Sequence, residues 1–311
     1  MAILDDYQGV ALSYGAWGGL DVTPFREHIA DEEALVATLE PYAAVLVMRE
    51  RTPLPGRVLR RLPRLKLIVT SGAGNASIDV AAARELGVTV CGTGGRGGAD
   101  STAELTWALM LALARRVPVQ DAAIRSGGWQ DGVGVMLAGR TLGIVGLGRI
   151  GSSLVPVAHA FGMRVTAWSR NLTPERAAEV GAEYVPREEL YATADFVTVH
   201  LKLTPESRGY VTRQDLFRMK PTAFFVNTSR AGLVDTGALI EALRDHRIAG
   251  AGLDVFDIEP LPADDPLRTL PNTVLTPHVG YVTDETYADF YPQMAEDVRA
   301  YLAGSPIREI P

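Results

Sequence analysis

The feature that most constrains the fold of this chain is a glycine-rich turn near its middle. An apolar run at residues 142–145 leads directly into Gly146, Gly148 and Gly151, which have the spacing GxGxxG. After a strand, this spacing is typical of a dinucleotide-binding βα unit, because its glycines permit a tight turn, a close approach of the pyrophosphate and close packing of the helix. The N–H groups that open the helix then bind the anion. Because the turn begins so late, another folded region must precede it.

Composition places the chain among ordinary globular proteins. Its 311 residues, 47% of them hydrophobic and 22% charged, suffice for two domains. The net charge is −7 and no long basic block occurs, so nucleic acid is not expected as a partner. Cys91 is the single cysteine, which excludes an intrachain disulfide framework, and no metal-ligand spacing is found. Without a signal-peptide pattern or a membrane-length apolar stretch, we expect a cytoplasmic protein with no membrane contact.

Short apolar strands alternate with helical patterns along the whole chain, which predicts an α/β fold with parallel sheets. Before the glycine-rich turn, strands are predicted at residues 2–4, 44–48, 65–70 and 88–91. From the turn onward they are predicted at 142–145, 164–168, 194–201, 222–228, 248–255 and 273–276, the number expected of a doubly wound Rossmann-type sheet. Helices are predicted between them, and the last helical pattern spans 283–302.

A strongly apolar helix is predicted at residues 101–116, with Ser101 as its N-cap and Glu104 completing a capping box. Apolar residues cover nearly all of its sides, which is typical of a helix buried on several faces. Such a helix packs in a core, between two domains or against a second subunit, and the pattern alone leaves these alternatives open.

Polar residues at predicted strand ends indicate the cofactor. Ser169 and Arg170 follow the strand at 164–168, where an NAD site would carry Asp or Glu for the ribose 2′-hydroxyl. An arginine here favours a 2′-phosphate, so NADP(H) is predicted. NAD(H) is possible if Arg170 only stacks on the adenine.

Three further residues indicate acid–base and anion-binding chemistry. Arg230 follows the strand at 222–228, and its guanidinium can bind a carboxylate or a carbonyl oxygen, although a lone arginine is often part of a surface ion pair. His278 follows the last strand and is suited to proton transfer near neutral pH. Glu259, on the preceding loop, would orient the imidazole and favour its protonated form. This series predicts reduction of a ketone with His278 as the acid.

The motifs of the chain resemble those of the D-isomer-specific 2-hydroxyacid dehydrogenases, a family that includes phosphoglycerate dehydrogenases and glyoxylate/hydroxypyruvate reductases. The resemblance covers almost the whole chain, through GRTLGIVGLGRIG, VTVHLKLTPESRGYV, NTSRAGLVD, GAGLDVFDIEP and TPHVGYVT, with SGAGNASIDV similar to a substrate-carboxylate loop and STAELTWALMLALAR similar to an interdomain and dimer helix. It implies a smaller, flavodoxin-like substrate domain at residues 1–98 and 284–311, and a Rossmann NAD(P)-binding domain at 99–283. It also implies a homodimer formed through the 101–116 helix region.

The resemblance further implies roles for individual residues. His278 would be the acid/base, Glu259 its partner and Arg230 the ligand of the substrate carboxylate and carbonyl. The loop of Gly72, Ala73 and Gly74 would bind the other side of the carboxylate, and Tyr281 would line the substrate pocket or only pack. Asp254 would contact the nicotinamide carboxamide. The full set implied to bind the cofactor is Gly146, Gly148, Arg149, Ile150, Gly151, Ser169, Arg170, Leu201, Thr228, Ser229, Arg230, Asp254, His278 and Gly280.

The chain departs from the family pattern at a few positions. Ala231 stands where glycine usually follows the arginine, and Asn75 and Ala76 replace a common valine–aspartate pair, so we expect a different substrate preference. The implied reaction is NAD(P)H-dependent reduction of a small 2-oxo acid of the glyoxylate, hydroxypyruvate or aryl-pyruvate type to the D-2-hydroxy acid. A dinucleotide-sensing, corepressor-like binding protein and a phosphite-type dehydrogenase are the alternatives.

Overall fold

A computed structural model describes residues 1–95 and 98–311 of the chain. These residues divide into two compact units, one of Met1–Gly97 and Val282–Pro311 (unit 1) and one of Gly98–Tyr281 (unit 2). Each unit has a parallel sheet with flanking helices, which confirms the predicted α/β class. Within the described ranges, no helix has both the length and the apolar character needed to cross a bilayer.

The elements follow one another in regular βα alternation. The strands are β1 (Ala2–Ile3), β2 (Thr23–Pro24), β3 (Ala44–Val47), β4 (Leu67–Thr70), β5 (Thr89–Gly92), β6 (Thr141–Val145), β7 (Arg164–Trp168), β8 (Glu183–Tyr184), β9 (Phe196–Val199), β10 (Phe224–Asn227), β11 (Gly250–Leu253) and β12 (Thr273–Leu275). The helices are α1 (Ala11–Tyr14), α2 (Glu32–Leu39), α3 (Gly56–Leu59), α4 (Val80–Glu85), α5 (Gly98–Arg115), α6 (Val117–Arg125), α7 (Arg149–Ala160), α8 (Pro174–Glu179), α9 (Arg187–Thr193), α10 (Arg213–Arg218), α11 (Thr236–Arg244) and α12 (Asp284–Leu302).

Unit 1 contains a five-stranded sheet in the order β2-β1-β3-β4-β5, which is the flavodoxin-like order. The central strands β3 and β4 are short apolar runs buried almost completely, as expected of parallel strands covered on both faces. The chain returns to this unit through α12, whose N-cap Thr283 accepts a hydrogen bond from the backbone of Thr286. The last residues then cover the edge of β5, where the N–H of Ile310 donates to the carbonyl of Val90.

Unit 2 contains a seven-stranded sheet in the order β12-β11-β10-β9-β6-β7-β8. The strand order reverses between β6 and β9, and ligands of such sheets bind outside the strand ends at this reversal. Strand β8 was not among the predicted strands, and neither was β2 in unit 1, because Glu183–Tyr184 and Thr23–Pro24 contain no apolar run. The other strands lie where the apolar runs predict them, with ends that differ by a few residues.

The apolar helix of unit 2 begins earlier than its sequence predicts. Helix α5 starts at Gly98, so Ser101 lies inside the helix, and its assignment as N-cap is wrong. The first turn instead contains Asp100, whose negative charge suits the positive end of the helix dipole. Its apolar face is already buried against β10, β11 and α7, and Met110 is fully buried. The segment that follows carries several exposed apolar side chains, at Val117, Ile124, Trp129, Val133 and Met136.

Candidate active site

His278 and Glu259 form a close hydrogen-bonded pair in unit 2. Nδ1 of His278 lies 2.5 Å from Oε2 of Glu259, and the other carboxylate oxygen accepts a hydrogen bond from the N–H of Phe256. Burial raises the pKa of Glu259. The hydrogen bond and charge of His278, together with the smaller effects of Phe256 and Arg230, lower it further than burial raises it, so the pKa of Glu259 lies below its ordinary value. The glutamate is therefore ionised at neutral pH and favours a proton on the ring. With Nδ1 held in this way, Nε2 is the nitrogen that can exchange a proton with a ligand.

The turn that carries His278 is held by the buried carboxylate of Asp254. Oδ1 accepts hydrogen bonds from Oγ1 of Thr276 at 2.6 Å and from the N–H of Val279 at 2.8 Å, while Oδ2 accepts one from the N–H of Gly280 at 2.9 Å. His278 itself has a φ of 53°, in the left-handed region that few non-glycine residues adopt. Such a conformation persists only where the surroundings determine it, and here Asp254 holds the residues on both sides.

Arg230 lies at the carboxyl end of β10, on a turn that is fixed by Asn227. The side-chain amide of Asn227 donates to the carbonyl of Arg230 at 3.0 Å, and its oxygen accepts the N–H of Ser229 at 3.0 Å. The hydroxyl of Ser229 donates to the carbonyl of Val199 on β9. Ala231 opens a 3-10 turn, so the residue that replaces the usual glycine is accommodated in regular backbone. The charge of Arg230 also lowers the pKa of Glu259, which places its guanidinium in the same charged cluster.

The GxGxxG turn has the shape that a pyrophosphate requires. Gly146 has a φ of +100°, and a Cβ there would lie 2.6 Å from the carbonyl of His200 and 2.8 Å from Leu201. A Cβ at Gly151 would lie 2.2 Å from the carbonyl of Gly146, whereas one at Gly148 would meet nothing within 4 Å. Helix α7 follows, and its N-cap Gly148 brings no side chain to cover the N–H groups of the first turn. These residues fit a nicotinamide dinucleotide, whose pyrophosphate would be held by the N–H groups at the start of α7.

The turn after β7 carries Ser169, half-buried, and Arg170, exposed. Arg170 lies near Glu206, which belongs to the loop after β9. A hydrogen bond with Thr204 is the main reason that the pKa of Glu206 lies below its ordinary value, and the charge of Arg170 adds to it. The guanidinium is thus on the surface, at the strand end where a dinucleotide ribose would lie.

His200 also follows a strand of this sheet, but its environment differs from that of His278. Its Nε2 lies 2.9 Å from Oγ1 of Thr198, and burial lowers its pKa to about 3. The ring is therefore neutral at physiological pH and unsuited to donating a proton. Among the residues described, no group of three or more His, Cys, Asp and Glu side chains is placed to hold a metal ion.

The predicted carboxylate loop of Gly72, Ala73 and Gly74 lies in unit 1, directly after β4. Gly72 has a φ of +85°, and its N–H donates to Oγ1 of Thr93, while Ala73 and Gly74 are exposed. Asn75 supports the loop, because its amide donates to Oγ1 of Thr70 and to the carbonyl of Arg49. The amide at this position, one of the departures noted above, therefore has a structural role.

Sequence reasoning missed Arg49, which lies against the same loop. A Cβ at Gly72 would lie only 1.8 Å from Nη1 of Arg49, so the guanidinium rests on this glycine. Arg49 has a φ of 53° and donates through Nη1 to the carbonyl of Ser71. A charged residue directly after an apolar strand was the signal that could have identified it.

Unit 2 thus brings together several of the predicted site residues, and Tyr281 joins them. The Tyr281 ring packs edge-on against His278, with 5.9 Å between the ring centroids. Leu201 meets the glycine-rich turn at Gly146. Thr228 is buried directly before the Ser229–Arg230 turn. Arg149 and Ile150 begin α7.

Comparison with known proteins shows which family the chain resembles. The model of the D-isomer specific 2-hydroxyacid dehydrogenase NAD-binding domain matches residues 107–280. Glyoxylate reductase of Thermococcus litoralis is 42% identical over 256 residues, which cover 79% of this chain and 77% of that protein. D-3-phosphoglycerate dehydrogenase of Synechocystis is 36% identical over 278 residues, covering 89% of this chain and 50% of that protein.

One solved structure is similar to this chain along nearly the entire length of both proteins. The phosphoglycerate oxidoreductase of Vibrio cholerae O395 superposes with a TM-score of 0.94 at 40% sequence identity, covering 98% of this chain and 99% of that one. The similarity therefore includes both units.

Proposed function

This chain belongs to the D-isomer specific 2-hydroxyacid dehydrogenase family, and we propose that it reduces a small 2-oxo acid to the D-2-hydroxy acid, preferably with NADPH. The observation that carries the proposal is the His278–Glu259 pair, held beside Arg230 at the carboxyl edge of the unit 2 sheet. Ketone reduction needs a hydride and a proton on one carbonyl group, and the pair supplies the proton. Unit 2 is the NAD(P)-binding domain in this proposal, and unit 1 the substrate domain.

Arg230, His278 and Glu259 have separate roles in the proposed reduction. When bound, the nicotinamide supplies the hydride for the carbonyl carbon. Arg230 binds the carboxylate and the carbonyl oxygen, whose growing negative charge its guanidinium stabilises. His278 donates the proton from Nε2 to that oxygen, which becomes the hydroxyl. Glu259 keeps Nδ1 in place and stabilises the protonated ring that the reaction consumes.

We assign the other side of the substrate carboxylate to the loop at Gly72, Ala73 and Gly74. Ala73 and Gly74 are exposed small residues, and their backbone N–H groups suit a carboxylate, whereas the N–H of Gly72 is used within the loop by Thr93. Arg49 beside the loop adds guanidinium N–H donors that suit an acidic substrate, although Oε2 of Glu50 lies 3.8 Å from its Nε and offsets part of its charge. The glyoxylate, hydroxypyruvate and aryl-pyruvate classes remain the candidates, and the glyoxylate reductase similarity supports the first.

A substrate panel tests the proposed reaction. We expect oxidation of NADPH, followed by the loss of its absorbance, in the presence of glyoxylate, hydroxypyruvate or phenylpyruvate, with a D-hydroxy acid as product. Absence of turnover with every 2-oxo acid and with both cofactors would refute the proposal and favour a binding protein. A product of L configuration would refute the assigned stereochemistry.

The cofactor preference is proposed to depend on Arg170. In Arg170→Asp the guanidinium is replaced by a carboxylate that repels a 2′-phosphate and accepts hydrogen bonds from a ribose diol, so NADH should be favoured. We expect the ratio of kcat/KM for NADPH over that for NADH to fall by roughly 10- to 100-fold, equivalent to one charge-assisted contact. Arg176→Asp makes the same charge change at an exposed position on α8 and is the matched control. A ratio that is equal in the two variants would contradict the role of Arg170.

We also propose that two copies of the chain associate. The sequence places the contact at the 101–116 helix region, yet α5 already buries its apolar face within unit 2. The exposed apolar side chains of residues 117–136, of which Trp129 is 75% exposed, favour the segment that follows as the contact surface. The molar mass in solution tests this, and a monomer at micromolar concentration would refute it.

A further inference from the structure

Two threonines of α5 contact the two loops that carry the proposed active-site residues. Oγ1 of Thr102 donates to the carbonyl of Gly280 at 3.1 Å, and Oγ1 of Thr106 lies 2.8 Å from Oγ1 of Thr228. Thr102 is 9% exposed and Thr106 fully buried, so water does not compete for these bonds. Gly280 comes just after His278 in the chain, and Thr228 just before Arg230. One helix therefore touches both loops.

The donors and acceptors in this contact are determined. Thr106 gives its only hydroxyl proton to the carbonyl of Thr102, at 2.8 Å, because a carbonyl oxygen can only accept. The bond between Thr106 and Thr228 must then use the proton of Thr228. Threonines in helices often bond to the preceding turn, which accounts for the first of these bonds. This general tendency of helical threonines does not account for the hydrogen bonds that Thr102 and Thr106 make outside the helix, with Gly280 and Thr228.

Gly280 is held on both sides of its backbone. Its N–H donates to Asp254, and its carbonyl accepts from Thr102. A Cβ at Gly280 would lie 3.1 Å from Oδ2 of Asp254 and 3.5 Å from Oγ1 of Thr102, so the loop packs closely between the two side chains. The backbone next to His278 therefore has two anchors, one from β11 and one from α5.

We propose that Thr102 and Thr106 are positioning residues that hold the His278 loop and the Arg230 loop at fixed positions against α5. This inference rests on the proposed function. The two loops leave different strands, and a misplacement of about 1 Å between catalytic groups can cost about 100-fold in rate. Hydrogen bonds from one rigid helix to both loops limit such a displacement.

Replacement of each threonine by the nearly isosteric valine tests the proposal. Thr102→Val and Thr106→Val each remove one loop contact, so we expect kcat to fall about three- to tenfold, the effect of one neutral hydrogen bond. Thr106→Val should also raise KM for the 2-oxo acid, since it acts on the Arg230 loop. Thr102→Val should instead change the pH profile of kcat, since it acts on the His278 loop. Serine at either position keeps the hydroxyl and should restore most of the activity.

Thr166→Val is the matched control. Thr166 lies on β7, is 7% exposed, and its buried hydroxyl has no hydrogen-bond partner among the residues that the structure describes. The same atom is therefore removed without the loss of a hydrogen bond, and kcat, KM and the pH profile should stay at wild-type values. Kinetic constants and pH profiles of the two test variants that match those of Thr166→Val would overturn the proposal, even if their Tm falls.

Amide hydrogen exchange provides a readout that needs no turnover. The N–H of Gly280 should exchange about three- to tenfold faster in Thr102→Val, and that of Ser229 in Thr106→Val, because each loop loses an anchor. Unchanged exchange at both amides would overturn the proposal whatever the activity. If the wild type shows no turnover but these amides respond, the proposed function fails and the anchoring role stands.

Discussion

His278→Ala should lower kcat for 2-oxo acid reduction by a factor of about 10² to 10⁴, the usual contribution of a general acid. The variant loses the proton donor while Arg230 and the glycine-rich turn are left in place. KM for the substrate should therefore change much less than kcat. Steady-state kinetics with saturating cofactor measure both. Turnover within a few-fold of wild type would remove His278 from the mechanism.

Two further variants separate proton transfer from the loss of a ring. His159→Ala removes an imidazole at the end of α7, where its Nε2 lies 2.8 Å from the carbonyl of Gly181, and should leave kcat unchanged. Glu259→Gln keeps the shape of the glutamate but removes its charge. Because the ionised glutamate favours the protonated ring, its loss should move the alkaline limb of the pH–rate profile for reduction to lower pH. A profile that does not move would contradict the pairing.

Arg230→Ala should have the second largest effect, with kcat/KM lowered by roughly 10²- to 10³-fold, because the proposed charge-assisted bidentate contact to the substrate would be lost. Most of this loss should appear in KM, and a smaller part in kcat, since the guanidinium also stabilises charge on the carbonyl oxygen. The measurement is a full kinetic comparison with the preferred 2-oxo acid.

The arginine has its own matched variants. Arg230→Lys keeps the charge but lacks the planar fork, so it should recover only part of the lost activity. Arg268→Ala removes an exposed guanidinium that donates to the carbonyls of Leu261 and Pro262, and should leave KM unchanged. An Arg230→Ala enzyme with wild-type KM and kcat would exclude Arg230 from substrate binding.

Much of the fold follows from local sequence patterns. The apolar run before Gly146 predicted a strand at residues 142–145, and the structure has β6 there. The last helical pattern, predicted at residues 283–302, also corresponds to a helix, α12, with Thr283 as its N-cap. The two-residue strands β2 and β8 were not visible, because they depend on neighbouring strands rather than on their own period. The start of α5 was misplaced because a capping pattern inside a helix looks the same as one at its end.

The site was predictable in its residue types but not in its supports. Strand ends identified Arg230, Glu259 and His278 as candidates, since parallel strands bring their carboxyl ends to one edge. Nothing in the sequence indicated that Asp254 would hold the His278 turn, or that Arg49 would rest on Gly72. These contacts join residues far apart in the chain, and hydrogen bonds between distant residues leave no periodic signal.

By itself, then, the sequence determined the α/β class, the family and the set of polar residues at the strand ends. Apolar strand patterns, glycine turns and motifs each involve residues that are close together in the chain, so the sequence alone reveals them. The tertiary structure decided what each polar residue can do. His200 and His278 both follow strands of one sheet, yet burial lowers the pKa of His200 to about 3, while His278 lies against an ionised glutamate. Proton affinity depends on solvation and on neighbouring charge, and only the folded chain supplies both.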